Sequence, residues 1–141
     1  MRRRGFLLAG LGATTLTLSP APAGMHAASD GPPAHRLHAG SRLLFVSGQV
    51  PTDADGAAPE DFDAQCALAW DGVERQLAAA GMGLRHLVRV NVFLARAGDR
   101  GRERALRRAR FGDCVRPSVG VIVTGIYDED WRIEIEAIAL A

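Results

Sequence analysis

Three segments, Val88–Leu94, Ser118–Val123 and Ile133–Leu140, carry hydrophobic residues in both of their alternating sets. A β-strand sends successive side chains to opposite faces, so these segments predict a sheet covered on both sides. Only two stretches have a helical period, and two helices packed together cover one face. The other face must meet something else. This predicts a homo-oligomer whose sheets pack on one another, with sites at the subunit seams.

The remaining elements follow from period and punctuation. A first strand is expected around His35–His38. After the Ala39-Gly40-Ser41 turn, a second is expected over Leu43-Leu44-Phe45-Val46-Ser47. Pro51–Pro59, with Asp55-Gly56 inside it, reads as a loop. Apolar positions then recur at three and four through Phe62, Cys66, Ala69, Val73, Gln76, Leu77 and Ala80, which predicts an amphipathic helix stopped near Gly81 and Gly83. Leu87–Leu94 is β-branched and alternating, a second helix runs from about Asp99 to Phe111, and two strands close the chain around a Thr124–Trp131 connection. The expected order is β-β-α-β-α-β-β, an α+β sandwich with both helices on one face of the sheet.

The first residues differ in kind. Arg2-Arg3-Arg4 precedes Gly5-Phe6-Leu7-Leu8, a mild apolar run to Leu18 and Ser19-Pro20-Ala21-Pro22-Ala23. This is the order of an export signal of twin-arginine type, with cleavage expected near Ala23 and a periplasmic destination. The apolar run is too short to span a bilayer stably. Residues 24–33 form a Gly/Pro/Ser-rich tether, and residues 34–141 the folded domain. Removing 1–23 deletes three arginines and no acid, taking the formal charge from +1 to −2. Nothing global then favours nucleic acid.

No lysine occurs anywhere in the chain. That removes a Schiff base of its own, lysine-anchored pyridoxal phosphate and a P-loop lysine, leaving the guanidinium group as the cation for clamping carboxylates. Arg116, at the mouth of the apolar Val115–Val123 segment, is the leading candidate. A charge beside such a strand is costly without a partner, which suggests either a substrate carboxylate or a structural ion pair, conceivably with Glu134. Glu134 is read as functional, Glu136 as structural, and Ser47 either lines a pocket or bonds its own turn. Cys66 falls on the apolar stripe of the first helix, and Cys114 lies two residues before Arg116. His35 and His38, three apart, point to opposite faces of a strand and make no metal site, and His86 is a turn residue. Arg100, Arg102, Arg104, Arg107, Arg108 and Arg110 are interleaved with acids and read as a solvated helix face. RNA contact is the rival reading, without aromatic platforms to support it.

The succession Leu44-Phe45-Val46-Ser47-Gly48-Gln49-Val50-Pro51, the Gln65-containing helix, Val90-Asn91-Val92-Phe93-Leu94, Arg116-Pro117-Ser118-Val119-Gly120-Val121 and Ile133-Glu134-Ile135-Glu136-Ala137-Ile138-Ala139 resembles the RidA/YjgF family over roughly residues 31–141. The resemblance implies a chorismate-mutase-like fold assembled as a homotrimer with sites between subunits. It implies hydrolysis of reactive 2-imino acids or their enamines, such as 2-aminoacrylate, to 2-oxo acids and ammonia without metal or organic cofactor. Arg116 would hold the substrate carboxylate, Glu134 would direct water, and Ser47 with the Gly48 backbone would line the pocket. Three departures stand out. The tyrosine usual upstream of Ser-Gly-Gln is absent, Tyr127 being the only tyrosine, and the asparagine usual in the first helix falls at Gly72. The Phe93–Arg116 segment is also short, with charged residues near Arg104 where the family has another asparagine. A carboxylate-binding protein without catalysis is the alternative these departures leave open.

Overall fold

The structure, a computed structural model, describes residues 35, 37–113 and 115–141. The export segment, the tether and Cys114 lie outside the described residues. Four strands, β1 (Leu43–Gln49), β2 (Leu87–Leu94), β3 (Ser118–Val123) and β4 (Ile133–Leu140), form one sheet in the order β1-β4-β2-β3. β4 pairs antiparallel with β1 and β2, whereas β3 lies parallel to β2. Parallel neighbours need a crossover, and α2 (Arg100–Phe111) supplies it. With α1 (Phe62–Ala79) it packs on one face of this four-stranded sheet, as the apolar patterning requires.

The expected strand around His35–His38 is not formed at residues 35, 37 and 38. His38 instead closes a turn, its N–H donating to Ser41 Oγ at 3.1 Å and its carbonyl accepting from Ser41 N at 3.0 Å. The side chains of His35, Leu37 and His38 are exposed, so the segment has no apolar face to bury in a sheet.

α1 starts where Asp61 Oδ2 accepts the Ala64 N–H at 2.9 Å, an N-cap worth about 1 kcal/mol. It ends where Met82 N reaches Leu77 O at 2.8 Å and Gly81 N reaches Ala78 O at 2.9 Å. This Schellman arrangement needs a left-handed residue, and Gly81 supplies it with φ 68°. Phe62, Cys66, Ala69, Val73 and Leu77 are buried as the period predicts, joined by Trp70 and Gln65, while Gln76 is exposed. Against them lie Val90, Val92 and Leu94 of β2 and Ile133, Ile135, Ala137 and Ala139 of β4. Trp70 meets Phe111 of α2 edge to face at 5.1 Å, closing the far side of the core. No helix among the described residues is long and apolar enough to cross a membrane.

Arg100, Arg102, Arg104 and Arg108 are exposed, as the solvated reading expects, while Arg107 and Arg110 are part-buried. Arg102 pairs with Asp63, and Arg110 with Asp71 and Glu74, stitching α2 to an acidic row on α1. Arg107 pairs with Glu103, which is wholly buried. A carboxylate there is tolerable only because its guanidinium partner neutralises it.

Candidate functional site

Among the described residues, no helix covers the opposite face of the sheet. Glu134, Glu136, Ile138 and Leu140 of β4 emerge on it, flanked by Phe45 and Leu43 of β1 and by Arg89, Asn91 and Phe93 of β2. Phe45 is 69% exposed, an unusual state for a phenylalanine on a regular strand.

Ser47 and Gly48 occupy an irregularity in the β1–β4 register between Val46 and Gln49. Bulges re-aim strand residues, and this one brings Gly48 under the Glu134 side chain. A Cβ at Gly48 would lie 2.8 Å from Glu134 Cδ. A side chain there would displace the flexible carboxylate crossing above it, so the glycine leaves room for Glu134 in this position. Gln49 Nε2 donates to the Ser47 carbonyl at 2.9 Å, and the Gln49 side chain rests on α1 at Gly72. A Cβ at Gly72 would come 3.1 Å from Gln49 Cβ, so the missing helix side chain makes room for the brace beneath Ser47. Ser47 itself is exposed and lines a cavity of about 260 Å³ with Arg89, Asn91 and Glu136.

Glu134 and Glu136 share a neighbouring cavity of about 220 Å³ with Phe93, Thr124, Ile126 and Tyr127. Glu136, read from sequence as structural, thus borders both hollows. The loop beside Glu134 is held by Gln65, whose Nε2 donates to the carbonyls of Pro59 and Asp130 at 2.7 and 2.8 Å, and whose Oε1 accepts the Arg132 N–H at 2.8 Å. Arg132 adds an ion pair to Asp99 and lies 4.9 Å from the Phe62 ring centroid. β4 therefore enters the site from an anchored start.

Arg116 is not brought to this place. Along the sheet, Glu134 pairs with Phe93 and thereby sits level with Ile122, whereas Ser118 pairs with Arg89. Four residues of strand separate the two levels, about 13 Å, and Arg116 precedes Ser118 by two more. The guanidinium is exposed, its Nε donating to Asp113 O at 3.4 Å. Among the described residues it joins no ion pair, so the structural partnership with Glu134 considered from sequence does not form within one subunit. It lines a separate cavity of about 750 Å³ with Arg107, Arg108, Phe111, Asp113, Val115, Pro117 and Val119.

Arg89 is a cation that sequence reasoning passed over. Its Nε donates to Asn91 Oδ1 at 3.1 Å and its Nη1 to Ser118 Oγ at 3.0 Å, and it lies across Gly120. The alternation of Arg89 and Asn91 with Val90 and Val92 was the available signal, since it places both polar residues on the open face. Cys66 is inert core: burial pushes its thiol up to about 12. His86 closes the turn before β2 by accepting the Gly83 N–H on Nδ1 at 2.9 Å.

A family model described as endoribonuclease L-PSP matches residues 32–141. The chain belongs to this family, that of RidA and YjgF. It is 30% identical over 129 residues to the 2-iminobutanoate/2-iminopropanoate deaminase of Salmonella typhimurium, covering 89% of this chain and 96% of that one. A shorter stretch of 62 residues is 44% identical to the RutC family protein YjgH of Escherichia coli, spanning 42% of this chain and 47% of that one. The crystal structure of the E. coli YjgF gene product superimposes with a TM-score of 0.65 at 30% identity, covering 79% of this chain and 90% of that one. The two-helix, four-stranded layer is thus the RidA/YjgF fold. In this RidA/YjgF member, Gly72 and the Gln49 brace account physically for one departure from the family pattern.

Proposed function

We propose that the protein hydrolyses reactive 2-imino acids, or their enamine tautomers such as 2-aminoacrylate, to 2-oxo acids and ammonia. The observation that carries this reading is the Glu134 carboxylate, held over Gly48 by an anchored strand on an open face, with Ser47 lining the adjoining cavity. Water adds to the C=N carbon as Glu134 accepts its proton. That proton then goes to the nitrogen to give a carbinolamine, and Glu134 next takes the hydroxyl proton and passes it to the amine as the C–N bond breaks, releasing the carbonyl and ammonia. Orientation carries most of the burden because the imine is already electrophilic.

The substrate carboxylate goes to Arg116 of a neighbouring subunit. The distance between Arg116 and Glu134 within one chain, together with the bare apolar face bearing Phe45, Ile138 and Leu140, supports a homotrimer with sites in the seams. The chemistry named for the S. typhimurium relative points the same way. We also read residues 1–23 as a twin-arginine export signal, so that the mature enzyme works outside the cytoplasm.

The test is ammonia and 2-oxo acid release from freshly generated 2-iminopropanoate. Acceleration over the spontaneous rate is expected, with loss in Arg116→Ala and in Glu134→Gln. A wild type that matches the spontaneous rate, while still binding small carboxylates, would make the protein a carboxylate-binding relative without catalysis. Protein mass in solution tests the trimer.

A further inference from the structure

The cavity around Arg116 holds more positive charge than a small imino acid needs. Arg107, Arg108 and Arg116 all line it, against a single carboxylate residue, Asp113. Arg107 is neutralised by the buried Glu103. Arg108 is exposed and, like Arg116, joins no ion pair among the described residues. Two guanidinium groups are therefore available in one hollow. Their backbones are fixed independently: Arg108 sits on the last turn of α2, where Gly112, at φ 61°, returns its N–H to the Arg108 carbonyl at 3.0 Å. Arg116 lies beyond that turn, at the entrance to β3.

Most of the lining is polar, and Phe111, Val115, Pro117 and Val119 add apolar patches to it. The volume of about 750 Å³ lies within the usual range for small-molecule sites. A mostly polar hollow with a cation from each of two elements suits a short ligand with an anion at each end.

We propose that this cavity selects dianionic ligands: 2-imino or 2-oxo acids whose side chain ends in a second carboxylate, with Arg116 taking the α-carboxylate and Arg108 the distal one. Arg108 is a specificity residue here, since it touches the end of the substrate remote from the C=N bond. The imino identity of the ligand rests on the deaminase reading, whereas the preference for two charges does not.

Titration of the full protein with 2-oxoglutarate and with 2-oxobutanoate separates the two questions, because both are unreactive and differ in the distal carboxylate. Wild type is expected to bind 2-oxoglutarate about tenfold or more tightly. Arg108→Gln brings the two affinities together by weakening 2-oxoglutarate, Arg108→Lys keeps part of the preference, and Arg116→Gln weakens both ligands. Arg104→Gln, on the same helix but outside the cavity, leaves the ratio as in wild type. The preference also shrinks with added salt, since the charges are exposed. Equal affinities in wild type, or an unchanged ratio in Arg108→Gln, overturns the proposal. Turnover of 2-iminoglutarate and 2-iminobutanoate, each generated in place by an amino-acid oxidase, is then compared. A strong 2-oxoglutarate preference with no turnover of either imine upholds the dianion site and rejects the deaminase reading. Turnover of both with no preference in binding or rate does the reverse.

Discussion

The two sides of β4 differ more than any two elements of the molecule. Ile133, Ile135, Ala137 and Ala139 are buried under α1, all at 3% exposure or less, while Glu134, Glu136, Ile138 and Leu140 on the same strand remain part-exposed. One side is a finished core, and its apolar surface has been removed from water. The other side carries carboxylates, an irregular strand edge and an uncovered phenylalanine. The two-residue repeat of the strand thus divides labour, giving every second residue to stability and the alternate ones to chemistry and assembly.

Substitutions on the two sides should part company. Ile135→Ala leaves a hole in the core and should cost about 2–5 kcal/mol in urea unfolding, against about 0.5 kcal/mol or less for Glu136→Ala next to it. Equal losses would erase the distinction. Glu103→Ala, on the helix side, should cost about 3 kcal/mol because it strands the largely buried Arg107. Gly48→Ala, on the open side, should cost about 1 kcal/mol or less in stability, because the flexible Glu134 carboxylate can swing aside, and should lower imine turnover about tenfold. A variant with native turnover would show that the placement of Glu134 over Gly48 is immaterial.

Titration sharpens the comparison from the helix side. Because burial keeps the Cys66 thiol protonated up to about 12, the unfolded chain loses that proton first as pH rises above the usual thiol range. The unfolded state then binds fewer protons than the native one, so stability should fall by up to about 1.4 kcal/mol per pH unit from about pH 9 to about 12. Denaturation profiles of Cys66→Ala should lack that slope. The smallest effect on the isolated subunit is expected from Phe45→Ser, within about 0.5 kcal/mol. Its consequence should appear instead in sedimentation, as a shift from trimer toward monomer. An unchanged mass would mean that the open face is covered in some other way.

Much of this was legible in the chain. The Phe62–Leu77 stripe, the stop at Gly81 and the doubly apolar strands led directly to two helices on one side of a sheet. The His35–His38 strand failed because alternation over four residues carries too little apolar surface to outweigh a local Ser41 turn. Gln65 and Glu103 were hidden for a common reason. A polar residue on a helix reads as solvent-facing; the partners of Gln65, Asp130 and Arg132, lie some 65 residues away, while the i,i+4 pair of Glu103 with Arg107 looks in sequence like an ordinary surface pair. Glu134, Ser47 and Gly48 were grouped by the resemblance to RidA/YjgF motifs, and the pairing of β1 with β4 brings them together. The separation of Arg116 from them depends on β3 pairing parallel to β2, and register of that kind has no signature in composition or period.

The glycine that ends α2 has an evolutionary consequence. Gly112 fixes the last turn of that helix, so the residue four places earlier always faces the hollow beside Arg116. On the proposed reading, replacing that one residue would change the charge of the hollow without disturbing the core, the sheet or Glu134. Relatives could thus diverge in diet through a single codon while inheriting the same machine.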